Sequence, residues 1–171
     1  MSHPRAEALV ARIERAFEGV ELGDGVSLHE TAVIDDYGTL EERRAAREPD
    51  EKLDWRKLID DPDLPRYFGL GYSGLCYLDA PGVRFHLPAC MIRVLRDMSS
   101  AEVPFDLDFS LLCLLSETKD GEHNRLSILD EPQRRCVFDF LLYVRESLGY
   151  EDPTLEQAIA CFRSQVADET G

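Results

Sequence analysis

The stretch FGLGYSGL, residues 68–75, spaces three glycines as in a loop that binds the pyrophosphate of a dinucleotide. Such a loop works only between a buried strand and a helix, because the helix N-terminus supplies the amides that bind phosphate. The residues before the first glycine are rich in aspartate and proline, and those after the last glycine soon reach a turn at Asp79. The pattern therefore predicts a helix over about 63–78 whose glycines pack closely against another backbone.

Two other partial signatures each lack a residue that their chemistry requires. Ser73 resembles the serine of a nucleophile elbow, but the second glycine stands one position too early for the strained turn. His29 and Glu30 begin a zinc-protease signature, but Val33 stands where the second histidine must be. We therefore expect neither a bound metal nor a cofactor.

A site assembled from dispersed residues is the other way in which this chain could be an enzyme. His86 alternates with apolar residues and lies close in the chain to Tyr77 and Arg84. A histidine in such a position is usually a hydrogen-bonded packing residue, and a general base is the alternative. His86, Tyr77 and Arg84 are accordingly the candidate catalytic residues.

The elements that must position these residues are predicted to be helical almost throughout. Apolar residues recur every three or four positions, which predicts a mainly α fold: one compact domain over 1–171 with about six or seven helices. Capping residues mark several helix starts, namely SLHE at 27–30, TLEE at 39–42, LDEPQ at 129–133 and PTLEQ at 153–157.

Residues 83–87 are the one segment that the pattern predicts to be extended, as a short strand or hairpin. Its apolar residues alternate with polar ones after a Pro-Gly turn, and Pro88 disfavours a helical conformation in the residue before it. Pro88 would then start a helix that runs to about Met98. The apolar segment 109–116 fits a helix and a strand equally well.

The net charge of −15 narrows the classes of partner. Residues 1–50 carry 12 acidic and 6 basic side chains, residues 51–100 carry 7 of each, and residues 101–171 carry 15 and 6. Such a surface repels nucleic acids and anionic membranes, and it attracts a basic protein. Solubility alone is the alternative explanation of the charge.

The predicted helices near the C-terminus carry the carboxylates that we expect to attract such a partner. They lie on the surfaces and at the junction of the two best-defined helices. The candidates are Asp139, Glu146, Glu151, Asp152 and Glu156.

The cysteines and the N-terminal residues favour a cytoplasmic protein. Five cysteines are scattered along the chain without a Cys-x-x-Cys pair, so we expect free thiols. The N-terminal residues lack the apolar core of a secretion signal, and no stretch approaches the ~18 apolar residues of a membrane span.

Two segments, YLDAPGVRFHLPACM (77–91) and LDEPQRRCVFDFLLYV (129–144), resemble a family of small bacterial proteins of unknown function. Members carry an aromatic-Tyr-Leu-Pro-Ala-Tyr-Met run and a helix that starts with Leu-Thr-x-x-Gln. Here His86 and Cys90 replace the two tyrosines, and Asp130 replaces the threonine while Gln133 is kept. The resemblance implies a mainly α bacterial protein and assigns no activity.

The lack of an assembled catalytic constellation favours a non-enzymatic protein-binding module. An inhibitor or immunity protein that neutralises a basic partner, such as a toxin, would have this size and charge. A small enzyme built around His86, Tyr77 and Arg84 is the alternative, and mimicry of DNA by regularly spaced carboxylates is a third hypothesis.

We predict that NAD, NADP and FAD do not bind this chain, because both flanks of the glycine stretch lack the elements that hold a pyrophosphate. Isothermal titration calorimetry with each cofactor tests this prediction. A micromolar affinity for any of the three would contradict it.

Overall fold

A computed structural model describes residues 4–68, 74–99, 109–116, 124–148 and 152–167. Within these residues the fold is mainly α, as predicted, and contains no strand. The α-helices are α1 Pro4–Ala16, α2 Glu30–Asp35, α3 Leu40–Arg47, α4 Asp63–Phe68, α5 Ala80–Ser99, α6 Phe109–Leu115, α7 Glu131–Leu148 and α8 Pro153–Ala167. Three 3₁₀ helices join them: η1 Trp55–Leu58, η2 Gly74–Tyr77 and η3 Arg125–Ile128.

Helix α5 lies at the centre and corrects the prediction of an extended segment at 83–87. The helix begins at Ala80 and continues through Pro88. All residues from 85 to 92 are buried, so every face of the helix is covered there. The alternation of polar and apolar residue types therefore does not mark an exposed side. Proline inside a helix costs about 3 kcal/mol. Burial of the surrounding apolar side chains offsets this cost.

The other helices surround α5. Helices α1, η1 and η3 pack directly against it, while α7 packs against α1 and α8. Helix α6 packs against α8 and η2. The segment 109–116, which fitted a helix and a strand equally well from its sequence, is therefore helical. The buried apolar side chains of the described residues form a single cluster. No helix within the described ranges is long and apolar enough to cross a membrane.

Two of the predicted caps are formed in full, and two differ in detail. Thr39 and Glu42 form a reciprocal capping box at α3, and Asp130 and Gln133 form one at α7. Helix α8 is capped by Asp152, which accepts the Leu155 N–H at 2.8 Å, and not by the predicted Thr154.

The predicted box at the start of α2 is half formed. Glu30 accepts the Ser27 N–H, but no side chain caps the helix. The buried Ser27 hydroxyl has no hydrogen-bond partner among the described residues.

The prediction of one helix over 63–78 is wrong: the segment contains α4 and the separate 3₁₀ helix η2, and Gly74 contacts the Tyr67 carbonyl oxygen, which residues seven apart in one helix cannot do. Residues 69–73 lie outside the described residues. Gly74 at the start of η2 is buried, and a Cβ atom there would collide with the Tyr67 carbonyl oxygen and the Phe68 ring. The close contact of this glycine is with the end of α4 in the same segment, and packing of the glycines against a separate backbone stays a prediction. The cysteines are free thiols, of which Cys76 is exposed.

A second close approach, between Gly82 and the segment before α2, joins the start of α5 to the N-terminal part of the chain. Asp79 accepts the N–H groups of Val26 and Gly82, both at 2.9 Å, and so caps α5 while it holds the segment. A Cβ atom on Gly82 would lie 2.8 Å from the Val26 carbonyl oxygen, and one on Gly25 would lie 2.7 Å from the Gly82 nitrogen. Only glycine allows this contact.

We predict that Gly82→Ala lowers the free energy of unfolding by ~1–3 kcal/mol, because the added methyl group displaces a backbone that cannot move cheaply. Helix propensity alone acts in the opposite direction, since alanine is favoured over glycine by about 1 kcal/mol inside a helix. Urea unfolding of the variant and the parent measures the sign. A gain in stability would mean that the two backbones are not in contact.

Candidate functional site

The structure places the three candidate catalytic residues in three separate environments. The Tyr77 hydroxyl donates a hydrogen bond to Asp35 at the end of α2. This bond, together with burial, raises the pKa of Tyr77 to about 12. A phenol with such a pKa stays protonated at neutral pH. The Tyr77 hydroxyl therefore remains a hydrogen-bond donor, and its bond to Asp35 joins η2 to α2.

Arg84 points towards the start of α7. Its Nε donates to Gln133 Oε1 at 3.1 Å, and its guanidinium lies 3.5 Å from Asp130. Gln133 in turn donates to the Ala16 carbonyl oxygen at 3.1 Å. The buried Gln133 side chain and Arg84 therefore join α5, α7 and α1, which is a structural role.

His86 is fully buried on α5. Its Nδ1 lies 2.7 Å from the Gly82 carbonyl oxygen, and Nε2 has no hydrogen-bond partner among the described residues. The rings of Phe68 and Phe85 contact the imidazole edge-on, each with a centroid distance of 5.2 Å. Burial lowers the pKa of His86 to about 4, so the ring is neutral at physiological pH. Within the described part of the chain, no hydrogen bond joins His86 to Tyr77 or Arg84.

The carboxylates predicted to attract a partner already have partners in this chain. Asp139 pairs with Arg12, Glu146 pairs with Arg5, and Glu156 lies 3.7 Å from Arg145. Asp152 caps α8, and Glu151 lies outside the described residues. These ion pairs connect α1 to α7 and α7 to α8, so the residues serve the packing of the helices as well as the surface charge.

His29 lies between two carboxylates that sequence reasoning missed. Its Nδ1 is 2.5 Å from Asp50 Oδ1, and its Nε2 is 3.1 Å from Asp63 Oδ2. Asp50 also accepts the His29 N–H, and its side chain is only 4% exposed. The aspartates lie 21 and 34 positions from His29 in the chain, so no local pattern could have indicated them.

This arrangement favours a charged His29. Burial lowers the pKa of His29, but the hydrogen bonds and charges of Asp50 and Asp63 outweigh burial and raise the pKa above its usual value. Both ring nitrogens are engaged, so the cluster is an ion-paired bridge between the start of α2 and α4. Within the described ranges, no three His, Cys, Asp or Glu side chains are arranged to hold a metal ion.

The turn between α2 and α3 presents an exposed tyrosine in an unfavourable conformation. Tyr37 is 97% exposed and has φ = 56°, the left-handed conformation that usually belongs to glycine. The backbone forms a Schellman motif, in which the Tyr37 N–H bonds the Ile34 oxygen and the Gly38 N–H bonds the Val33 oxygen. Gly38 follows the left-handed position, and a Cβ atom there would collide with Val33.

We call the exposed residues at this turn the α2–α3 surface. It combines two apolar side chains with two carboxylates that have no partner among the described residues. The residues are Asp36, Tyr37, Leu40 and Glu41.

The profile of a family of unknown function (DUF6714) matches residues 5–166. The match covers most of the chain, so the chain belongs to this family of unknown function. No curated protein matches the chain. No solved structure matches it either.

We predict that His86 makes the fold sensitive to acid. The unfolded chain binds a proton at His86 near pH 6.5 and the folded chain only near pH 4, so stability is lost as the pH falls between these values. At about 1.4 kcal/mol per pH unit, the loss reaches roughly 3 kcal/mol. Urea unfolding between about pH 7 and pH 4 should therefore show a smaller acid loss for His86→Leu than for the parent.

His29 supplies the matched control, because its folded pKa is raised and the sign is reversed. Its stabilising contribution is fully present below pH 6.5 and is lost as the pH rises through the folded pKa. His29→Gln should therefore reduce stability more in acid than in base. Parallel pH profiles for the parent and His86→Leu would contradict the neutral, buried state of His86.

Proposed function

We propose that this member of DUF6714 is a protein-binding module that neutralises a basic protein partner, as an inhibitor or immunity protein does. The α2–α3 surface is the contact surface in this proposal. The observation that carries it is Tyr37, a nearly fully exposed aromatic residue held in a left-handed conformation. In keeping with the sequence-based expectations, we infer a bacterial, cytoplasmic protein.

Tyr37 lowers the stability of the isolated protein in two ways. A left-handed conformation costs an L-residue roughly 1–2 kcal/mol relative to its usual conformations. Its ring also contacts water, where it contributes nothing to the core. The Schellman motif that ends α2 requires the left-handed conformation but not a tyrosine, and a role in binding would account for this choice of residue. Tyrosine is enriched among the residues that dominate protein interfaces. Leu40, which is 60% exposed, extends the apolar part of the surface.

The charge around Tyr37 suits a basic partner. The segment DDYGTLEE, residues 35–42, holds four carboxylates and no basic residue. Of the arginines on α3, Arg43 and Arg47 bind Glu30. A hydrogen bond from Thr39 lowers the pKa of Glu42, which keeps this carboxylate ionised. Four negative charges around an aromatic anchor would speed the approach of a cationic protein.

The geometry favours binding over catalysis by the predicted residues. His86 is buried and neutral, Tyr77 binds Asp35, and Arg84 binds α7. An enzyme built on these three side chains would have to move each of them away from its present partner. The α2–α3 surface needs no rearrangement to meet a partner.

The carboxylates near the C-terminus have a secondary role in the proposal. Asp139, Glu146 and Glu156 add to the overall negative field, but an arginine lies next to each of them. The unpaired Asp36 and Glu41 should therefore contribute more to recognition near the anchor.

We predict that Tyr37→Gly stabilises the protein and weakens partner binding. Glycine adopts φ > 0 without strain, so the free energy of unfolding should rise by roughly 1 kcal/mol. Loss of an aromatic anchor should cost ~2 kcal/mol or more of binding free energy. Urea unfolding measures the first effect. Leu53→Ser, at an apolar residue that is 70% exposed elsewhere, is the control and should leave binding unchanged.

The partner can be identified by capture from lysates of the source cells with the parent and with Tyr37→Gly, followed by mass spectrometry. A purified basic candidate should then associate more slowly as salt is raised, because the Debye length falls from ~30 Å at 0.01 M to ~8 Å at 0.15 M. Asp36→Asn with Glu41→Gln should slow association more than Asp139→Asn with Glu146→Gln. Equal capture by both baits, or a rate independent of salt, would refute the proposal.

A further inference from the structure

Most arginines of this acidic chain are engaged within the structure. Arg5 and Arg12 bind carboxylates on α7, and Arg43 and Arg47 bind Glu30. Others bind backbone carbonyls, as Arg93 does with the Ile59 oxygen at 3.1 Å. Four arginines have no side-chain hydrogen bond or ion pair among the described residues: Arg15, Arg44, Arg135 and Arg163.

Two of these four arginines line the same pocket. A shallow pocket of about 300 Å³ lies between α1 and α7. Arg12, Arg15 and Arg135 surround it, and Ala16, Pro132 and Cys136 complete its lining. The charges of Arg12 and Arg15 both act on the Cys136 thiol, where they oppose the rise in pKa that burial causes. Arg12, Arg15 and Cys136 thus belong to one pocket wall, within range of each other's charge.

The uncharged side chains of the lining give the guanidinium groups of Arg15 and Arg135 no strong acceptor. The alanine and proline side chains cannot accept a hydrogen bond, and the buried Cys136 is a weak acceptor that stays protonated, since burial raises its pKa. Asp139 and Asp130 are the nearby carboxylates that act on Cys136, and they are paired with Arg12 and Arg84. The chain has 34 acidic residues, yet none of those that the structure describes is paired with Arg15 or Arg135.

Guanidinium groups bind oxyanions through charge-assisted hydrogen bonds that are about twice as strong as neutral ones. The overall charge of −15 opposes the approach of an anion. At physiological salt, however, charges more than ~8 Å away are largely screened, so the local arginines dominate the pocket. The volume admits a phosphate group or a small dicarboxylate.

We propose that the pocket between α1 and α7 binds a small oxyanion through Arg15 and Arg135, with Arg12 at its edge. The site lies on helices other than α2 and α3, so it is independent of the proposed contact with a basic protein. The oxyanion can be a phosphate group or a carboxylate, and both interact with guanidinium in the same geometry.

The test is a titration of the protein with inorganic phosphate and, separately, with succinate, at an ionic strength held constant with sodium chloride. Chemical shifts of the backbone amides of α1 and α7 report the site, and the unfolding temperature reports binding. The pocket variant is Arg15→Gln with Arg135→Gln. The control is Arg44→Gln with Arg163→Gln, which removes two equally unpaired charges elsewhere on the surface.

We expect saturable shifts at α1 and α7 with one of the two anions in the parent and in the control. The pocket variant should bind that anion at least ~10-fold more weakly, since each charge-assisted hydrogen bond is worth ~1.5–3 kcal/mol. The stronger anion identifies the class of ligand. Equal weakening in the control, or the same response to chloride as to both anions, would overturn the proposal. Tyr37→Gly should leave the titration unchanged, so this site and the proposed function can fail separately.

Discussion

Helix α5 has no exposed face between residues 85 and 92, and this constraint shapes the rest of the structure. A helix that is apolar on all sides must be surrounded, so α1, η1 and η3 pack around it and α7 closes the layer next to α1. Its start is held by Asp79, whose carboxylate binds both the helix and the segment before α2. The glycine contact at Gly82 allows the two backbones to meet there.

Burial of α5 also decides the chemistry of the residues on it. His86 is placed between two phenylalanine rings and must be neutral, because a charge there would have no partner for Nε2. Arg84, at the edge of the same helix, reaches the start of α7 and so keeps its charge beside Asp130. Two positions apart on one helix, these residues differ because one points into the core and the other towards a polar helix end.

The surface separates paired charges from unpaired ones. Ion pairs between α1 and α7, such as Arg12 with Asp139, engage basic side chains in a chain that has 19 of them against 34 acidic ones. Both proposals rest on charged side chains, acidic in one case and basic in the other, that have no partner among the described residues. Asp36 and Glu41 surround an exposed tyrosine at the α2–α3 surface, whereas Arg15 and Arg135 surround a pocket on the α1–α7 side.

The sequence by itself determined the helical class of the fold and the boxes at Thr39 and Asp130, because each depends on residues within one helical turn. It did not determine that 83–87 is helical. Alternation of apolar and polar residues indicates a strand with one exposed face, but it carries no information about a helix that is covered on all sides. Nor could it place Asp50 and Asp63 around His29, or Arg5 beside Glu146, 141 positions away. Such contacts arise only when distant segments pack together, so the tertiary structure alone decided which charges are paired, which histidine is neutral and where Tyr37 lies.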